Sequence, residues 1–308
     1  MLTPEFRDPR LTEQRNPRTV DIDVASALEI ADLINAEDGL VPVAVHDARE
    51  PIAATIDLAV RALRAGGRLI YVGAGTSGRL GVLDAAECPP TFGTPPDLVV
   101  GIIAGGRDAL VQSEEGAEDD VEAGARAMDA HDVDEDDLVI GIAASGTTPY
   151  VGAALARAQA RGAGTVLLTC ADPPEALRRT CDQLIVLRVG PEVVTGSTRM
   201  KAGTATKLAL NTITTGAMVR LGKTYGNLMV DLQAWSDKLH DRGERIVMET
   251  CAVDRATARG AIEAAGGSVK LAMVMLRRGV SLVEARRLLE QAGDVIRRVI
   301  GDPPGVVP

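Results

Sequence analysis

The sequence predicts an α/β protein, a three-layer αβα sandwich around a five-stranded parallel sheet, followed by a small helical domain at the C-terminus. Three observations lead to this prediction. Short β-branched segments alternate with helical patterns between residues 68 and 187. Each strand candidate is apolar throughout, as in parallel sheets that are buried on both faces. After residue 244 only helical periodicity remains.

The elements of the predicted sandwich follow in chain order. The strand candidates are residues 68–72, 98–104, 138–143, 165–169 and 183–187. The helical candidates between them are residues 79–86, 118–130, 149–161 and 174–180. Pro-Pro at 89–90 is expected to end the first of these helices.

Outside the sandwich, the pattern is helical. Residues 1–20 are polar and contain three prolines, which predicts a surface arm, and helices are expected at 22–35, with caps at Asp23 and Asn35, and at 41–64. Later helices are predicted at 197–221, 226–241, 255–265, 268–278, 281–291 and 294–300. These elements suggest three parts: an N-terminal arm and helix at 1–50, an α/β domain at 51–243, and a helical domain with a tail at 244–308.

Composition excludes several classes of function. The 33 basic and 43 acidic residues give a net charge of −10, and aromatic residues are only 2% of the chain, so nucleic-acid binding is not expected. No apolar run suggests a signal peptide or a membrane span, so we expect a cytoplasmic protein without a membrane partner. The four cysteines and three histidines are scattered, which predicts reduced thiols and no metal site.

A glycine-rich turn follows the first strand candidate. Its sequence from Gly73 to Gly78, GAGTSG, matches the dinucleotide pattern G-x-G-x-x-G between a strand and a helix. That function needs an acidic residue at the end of the second strand, which here ends in Ala104-Gly105-Gly106, while Asp97 lies before the strand. The hydroxyls of Thr76 and Ser77 favour a phosphomonoester at the helix N-terminus instead. The remaining alternative is a tight turn that binds no ligand.

A second hydroxyl-rich turn follows the third strand candidate. It contains Ser145, Thr147 and Thr148, and Pro149 marks the start of a helix. Ligands of open parallel sheets bind beyond the carboxyl ends of the strands, so the two turns together could hold one phosphate. Alone, the second turn could be only a helix cap.

Acidic residues follow the same strand ends. Glu87 lies between a helix and Pro-Pro, and Glu115 and Glu118 follow the second strand. Two carboxyl groups in one pocket can act as general acid and general base. The alternative for Glu118 is an acid that complements a helix dipole. Arg199 and Lys201, near a possible cap at Ser197, could bind an anion or form a surface charge pair.

Six segments together resemble the N-acetylmuramic acid 6-phosphate etherase family, whose members have the sugar-isomerase (SIS) fold. The segments are 73–79, 84–93 (DAAECPPTFG), 115–119 (EGAED), 141–150 (GIAASGTTPY), 196–204 (GSTRMKAGT) and 225–231 (YGNLMVD), and TEQRNP at 12–17 is also similar. The resemblance implies cleavage of the D-lactyl ether of N-acetylmuramate 6-phosphate. The products are N-acetylglucosamine 6-phosphate and D-lactate.

The resemblance also implies residue roles. Glu87 matches the proton donor for lactate departure, Glu118 a second acid that acts as base or activates water, and Glu115 is a candidate for sugar hydroxyls. The positions that match sugar-phosphate binding are Thr76, Ser77, Ser145 and Thr148, with Thr147 in the same turn. The resemblance implies that the protein needs no cofactor and no metal. It also implies a homodimer. The alternatives are a non-catalytic phosphosugar-binding regulator and an aldose–ketose phosphate isomerase of the same fold.

Overall fold

The computed structural model describes residues 10–231 and 237–305. Its strands are β1 (Leu69–Gly73), β2 (Val99–Ile103), β3 (Leu138–Ile142), β4 (Gly164–Thr169), β5 (Gln183–Val186), β6 (Thr224–Tyr225) and β7 (Leu228–Met229). Its α-helices are α1 (Ala27–Asp38), α2 (Val41–Asp47), α3 (Arg49–Ala65), α4 (Gly75–Phe92), α5 (Val121–Ala130), α6 (Pro149–Ala160), α7 (Glu175–Arg178), α8 (Lys201–Arg220), α9 (Asp237–Cys251), α10 (Arg255–Ala264), α11 (Val269–Arg278), α12 (Leu282–Gln291) and α13 (Arg297–Ile300).

The chain forms two compact units. The first comprises Met1–Ala86 and Asp97–Thr214, and the second comprises Glu87–Pro96 and Thr215–Pro308. The domain boundaries suggested by the sequence, after residues 50 and 243, stay a prediction. Within the described residues, no helix combines the length and the apolar character needed to cross a membrane.

The first unit contains a five-stranded parallel sheet with the order β2-β1-β3-β4-β5, so the predicted fold class is confirmed. All residues of β1 and β3 are buried because helices cover both faces of the sheet. From β1 the chain continues to β2 on one side and later to β3 on the other side. The topological switch point therefore lies between the neighbouring strands β1 and β3. Gly73, the last residue of β1, pairs with Ile103 on one side and Ile142 on the other.

Helix α4 begins earlier and ends later than predicted. It starts at Gly75, directly after β1, and continues through Pro89 and Pro90 to Phe92. Each interior proline removes a backbone hydrogen bond, which costs ~3 kcal/mol in an ordinary helix. Cys88 and Phe92 are buried on this turn, and their burial offsets the missing bonds. The prediction that Pro-Pro ends the helix was therefore wrong.

A buried carboxylate holds α4 within the first unit. Asp84 accepts hydrogen bonds from Tyr71 Oη on β1 (2.9 Å), from Asn211 Nδ2 on α8 (2.6 Å) and from Thr214 Oγ1 (3.2 Å). Several donors satisfy the hydrogen-bonding capacity of a buried carboxylate. Asp84, the first residue of the DAAECPP segment, therefore fixes the direction of α4 as it leaves β1.

Several predicted helix ends were wrong because a different side chain caps the helix. Ser26, not Asp23, caps α1 in a reciprocal capping box with Glu29. Helix α8 starts at Lys201 rather than Ser197, and its first N–H groups donate to the Glu192 carboxylate (3.0 and 2.9 Å). Burial raises the pKa of Glu192, and these two hydrogen bonds work against that rise.

The N-terminal segment, residues 10–19, packs on the first unit. Thr12, Asn16 and Thr19 are buried. Gly196 N donates to Thr12 O (3.1 Å), and Thr19 Oγ1 donates to Val193 O (2.8 Å). The surface arm predicted for residues 1–20 is therefore wrong for residues 10–19, while residues 1–9 lie outside the described chain.

The second unit contains the β6–β7 hairpin and the short helices α9–α13. Residues 226–231 do not form the predicted helix, because Gly226 at positive φ and Asn227 close a two-residue turn between Tyr225 and Leu228. Residues 232–236 of that predicted helix lie outside the described chain. The predicted helices between residues 255 and 300 are confirmed, and they pack around an apolar core that includes Val247, Ile262 and Met273.

Candidate functional site

A cleft of about 470 Å³ lies at the carboxyl ends of β1 and β3, within the first unit. This is the switch point of the sheet, where open α/β proteins bind ligands. Its lining residues are Arg10, Glu13, Ala74, Gly75, Thr76, Ser77, Glu118, Asp119, Ala144, Ser145, Thr147, Thr148, Pro149, Gly196 and Thr198. The two hydroxyl-rich turns therefore face one cavity.

The first turn of α4 contributes Thr76 and Ser77. Both are half-buried. They lie at the N-terminus of a helix, where the first backbone N–H groups have no acceptor within the helix itself. Gly78 is explained by packing rather than by a ligand, since a Cβ at that position would lie 2.6 Å from Ile103 Cγ1 and 2.7 Å from Gly73 O. The glycine-rich pattern thus comes from a close approach of helix and strand, and the polar atoms of the turn come from its hydroxyl residues.

The turn after β3 contributes three hydroxyls. Ser145 Oγ and Thr147 Oγ1 lie 3.1 Å apart, and Thr147 N donates to Ser145 Oγ (3.4 Å). Gly146 has a φ of 73°, a conformation that side chains rarely adopt. Helix α6 begins at Pro149 as predicted, and within the described chain Thr148 makes no side-chain hydrogen bond to cap it. Thr148 therefore does not cap α6 through its side chain, and the role of the turn in phosphate binding stays a prediction.

Glu118 lines the cleft from a 3₁₀ turn, Ala117–Asp119, that precedes α5. The alternative role for Glu118, complementing the dipole of a helix, belongs instead to Asp120, whose Oδ1 accepts from Ala123 N at 2.7 Å. Glu118 also lines an adjoining cleft of about 280 Å³ together with Glu115. The structure therefore brings Glu118 into the cleft of the hydroxyl turns and places Glu115 in the adjoining cleft.

Glu87 belongs to the second unit. It is exposed on the later part of α4, three residues after the buried Asp84, and it lines neither of the two clefts. Its role as proton donor stays a prediction from the resemblance. No group of three or more His, Cys, Asp or Glu side chains that could hold a metal occurs within residues 10–231 and 237–305.

Arg10 and Glu13 line the cleft, and the sequence analysis missed both. Arg10 Nη1 donates to Thr147 Oγ1 over 3.3 Å, and Thr12 Oγ1 donates to Glu13 Oε1 over 3.0 Å. Their polar, proline-containing surroundings predicted a surface arm. The TEQRNP segment, which includes Glu13, was the available signal that this part of the chain has a specific place.

The two cations predicted near the start of α8 have different positions. Arg199 is exposed. Lys201 is fully buried, and its Nζ donates to Glu37 Oε2 over 2.6 Å, so it is neither an anion ligand nor half of a surface pair. Hydrogen bonds from Arg18, and to a lesser extent from Lys201, lower the pKa of Glu37 to about 2. Lys201 therefore has a structural role.

Comparisons with known proteins agree with this geometry. Residues 51–159 match the model of the glucokinase regulatory protein N-terminal SIS domain, and residues 118–215 match that of the SIS domain. The chain is 51% identical over 293 residues to the N-acetylmuramic acid 6-phosphate etherase of Mesorhizobium japonicum, with 95% of each chain covered. It is 51% identical over 290 residues to the etherase of Mycolicibacterium smegmatis, covering 94% of this chain and 97% of the relative.

A third relative has a similar degree of identity. The N-acetylmuramic acid 6-phosphate etherase of Microcystis aeruginosa is 49% identical over 296 residues, with 96% of each chain covered. Because about half of the residues are identical over nearly the full length of each relative, the chain belongs to the N-acetylmuramic acid 6-phosphate etherase family.

Proposed function

We propose that this protein is a carbon–oxygen lyase of cell-wall amino sugar catabolism. It cleaves the D-lactyl ether of N-acetylmuramate 6-phosphate and gives N-acetylglucosamine 6-phosphate and D-lactate. The observation that carries the proposal is the cleft itself, in which two hydroxyl-rich turns and Glu118 converge in a chain about half identical to etherases. A purely regulatory phosphosugar-binding function is not favoured, because the identity to etherases covers nearly the whole chain.

The phosphate binds at the two turns. In this proposal, Thr76 and Ser77 hold it from the start of α4, and the turn after β3 holds it with Ser145, Thr147 and Thr148. Hydroxyls and helix N-terminal N–H groups are donors of the kind that phosphate oxygens accept. Phosphate at this end places the sugar chain in the remainder of the cleft, toward Glu118 and, beyond it, Glu115.

The chemistry follows from the poor leaving group. An ether at C3 leaves only with assistance, but opening of the sugar ring creates an aldehyde at C1 and makes the C2 proton acidic. Glu118 removes this proton, the C3–O bond breaks, and the electron pair leaves with the lactate oxygen, which takes a proton from an acid. Once Glu118 has released the proton it took, it activates a water molecule, whose hydroxyl adds at C3 of the unsaturated aldehyde while C2 takes up a proton. No oxidant or cofactor is consumed.

Glu87 keeps the proposed role of the acid that protonates the departing oxygen.

The proposal includes a homodimer in the cytoplasm. The mass of the protein in solution, measured by light scattering after gel filtration, tests this part: twice the chain mass of 32.2 kDa is expected, and a monomer at micromolar concentration contradicts it.

The activity is tested by incubation with N-acetylmuramate 6-phosphate and an enzymatic assay for D-lactate. We expect one equivalent of D-lactate per substrate, and much slower release from N-acetylmuramate without the phosphate. The phosphate-free sugar is the matched control, because it contains the same ether. Release of no D-lactate from the phosphorylated sugar would contradict the proposal.

A further inference from the structure

Building on the proposed function, we propose that Arg10 determines specificity by binding the phosphate group of the substrate together with the hydroxyls of the turn after β3. Arg10 lies outside the sheet, and neither hydroxyl turn contains a cation. Its guanidinium enters the cleft from the N-terminal segment. The inference adds a charged contact to a phosphate site otherwise built from neutral donors.

The charges that line the cleft require such a contact. Three carboxylates line it, those of Glu13, Glu118 and Asp119, whereas Arg10 is the sole cation among the lining residues that the structure describes. A phosphate monoester carries nearly two negative charges at neutral pH. Without a cation, the three carboxylates would repel the ligand that the hydroxyls attract. Arg10 therefore decides whether a doubly charged ligand is accepted.

The position of the guanidinium fits this role. Arg10 Nη1 lies 3.3 Å from Thr147 Oγ1, which in turn lies 3.1 Å from Ser145 Oγ. A phosphate held by these two hydroxyls is therefore within reach of the guanidinium. Its planar fork of N–H donors matches two phosphate oxygens at once, which a lysine cannot reproduce.

The N-terminal segment holds Arg10 in place. Thr12, two residues later, is fully buried, and its carbonyl accepts a hydrogen bond from Gly196 N in the wall of the same cleft. Asn16 Nδ2 donates to Pro191 O (3.3 Å), and Thr19 Oγ1 donates to Val193 O (2.8 Å). Because the segment is fixed before the ligand arrives, less conformational entropy is lost when Arg10 binds it.

The test uses binding of the product, N-acetylglucosamine 6-phosphate, by calorimetry, because this measurement does not depend on catalysis. We expect Arg10→Gln to bind it roughly 10- to 100-fold more weakly than the wild type, the range for loss of a charge-assisted hydrogen bond. Arg10→Lys should recover part of the affinity. Arg15→Gln removes the same charge from an exposed position of the same segment and should change the affinity less than about twofold.

The outcomes separate this inference from the proposed function. Wild-type affinity in Arg10→Gln overturns the inference. So does a variant that binds the product normally but has a raised KM for N-acetylmuramate 6-phosphate, because Arg10 would then contact the lactyl carboxylate. Failure of the wild type to bind the sugar phosphate also overturns it. Absence of lactate release, with the difference between wild type and Arg10→Gln still present in calorimetry, overturns only the proposed function.

Discussion

Lys201 Nζ and Glu37 Oε2 lie 2.6 Å apart, and both side chains are almost completely shielded from solvent. Arg18 donates to the same carboxylate from the solvent side, over 2.8 Å through Nη2. The pair joins the end of α1 to the start of α8, next to Gly196 and Thr198 in the wall of the cleft. A buried ion pair of this kind positions elements more than it adds net stability.

Replacement of Lys201 by Met should destabilise the protein. The change removes the buried cation that pairs with Glu37 and leaves the ion pair with the half-exposed Arg18. Breaking a buried pair typically costs ~3–5 kcal/mol. Urea denaturation followed by circular dichroism measures the loss. Lys207→Met, an exposed position on the same helix, is the control and should change stability by less than ~0.5 kcal/mol. A loss below ~1 kcal/mol for Lys201→Met would show that the pair does not hold these elements together.

The stability of the protein should depend on the ionisation of Glu37. Its pKa in the folded protein is about 2, below the ordinary 4.5, chiefly because Arg18 hydrogen-bonds the carboxylate. A lowered pKa stabilises the fold above the ordinary pKa, and the stabilisation is lost as the pH falls from about 5 toward 2. We expect the wild type to lose about 3 kcal/mol more over this interval than Glu37→Gln, by urea denaturation at each pH. Parallel pH profiles would contradict the assignment.

Replacement of Glu118 by Gln should reduce kcat by ~10²- to 10⁴-fold, the usual contribution of a general base, and should change the KM far less. Glutamine keeps the shape of the side chain but cannot accept the C2 proton. Steady-state release of D-lactate measures both constants. The control is Glu122→Gln, which removes an exposed carboxylate from the first turn of α5, outside the cleft. Equal kcat values in the two variants would exclude Glu118 as the base.

Replacement of Glu87 by Gln should slow lactate departure by a similar factor of ~10²–10⁴, because the amide cannot donate the proton that the leaving oxygen needs. Exchange of the C2 proton of the substrate with D₂O, followed by NMR, should persist in this variant and be lost in Glu118→Gln. Asp97→Asn, another exposed acid, is the control. Release of lactate at the wild-type rate by Glu87→Gln would remove Glu87 from the mechanism.

The sheet and its two turns could be predicted from the sequence because their determinants are local. Continuous apolar runs predict β1 and β3 as buried parallel strands, and Pro149 marks the start of α6. The structure gives a packing reason for the last glycine of the nucleotide-like pattern, since Gly78 allows α4 to approach Ile103. The two turns lie side by side because the strands that precede them, β1 and β3, are neighbours in the sheet.

The features that the sequence analysis missed depend on contacts between distant residues. Arg10 and Glu13 reach the cleft because Thr12 bonds to Gly196, a pairing that no local pattern reveals. Lys201 looked like a surface cation because its partner, Glu37, is far away in the sequence. Glu192 caps α8 from outside the helix, so the helix start could not be read from Ser197. In each case, tertiary contacts override the local signal.

The most direct test of the central claim is the fate of the ether oxygen. The protein is incubated with N-acetylmuramate 6-phosphate in H₂¹⁸O, and both products are analysed by mass spectrometry. Elimination followed by hydration predicts unlabelled D-lactate, which keeps the ether oxygen, and ¹⁸O in the C3 hydroxyl of N-acetylglucosamine 6-phosphate. The positions of the label are read from fragment ions of the reduced sugar. Label in the lactate hydroxyl, or no release of lactate at all, would contradict the account.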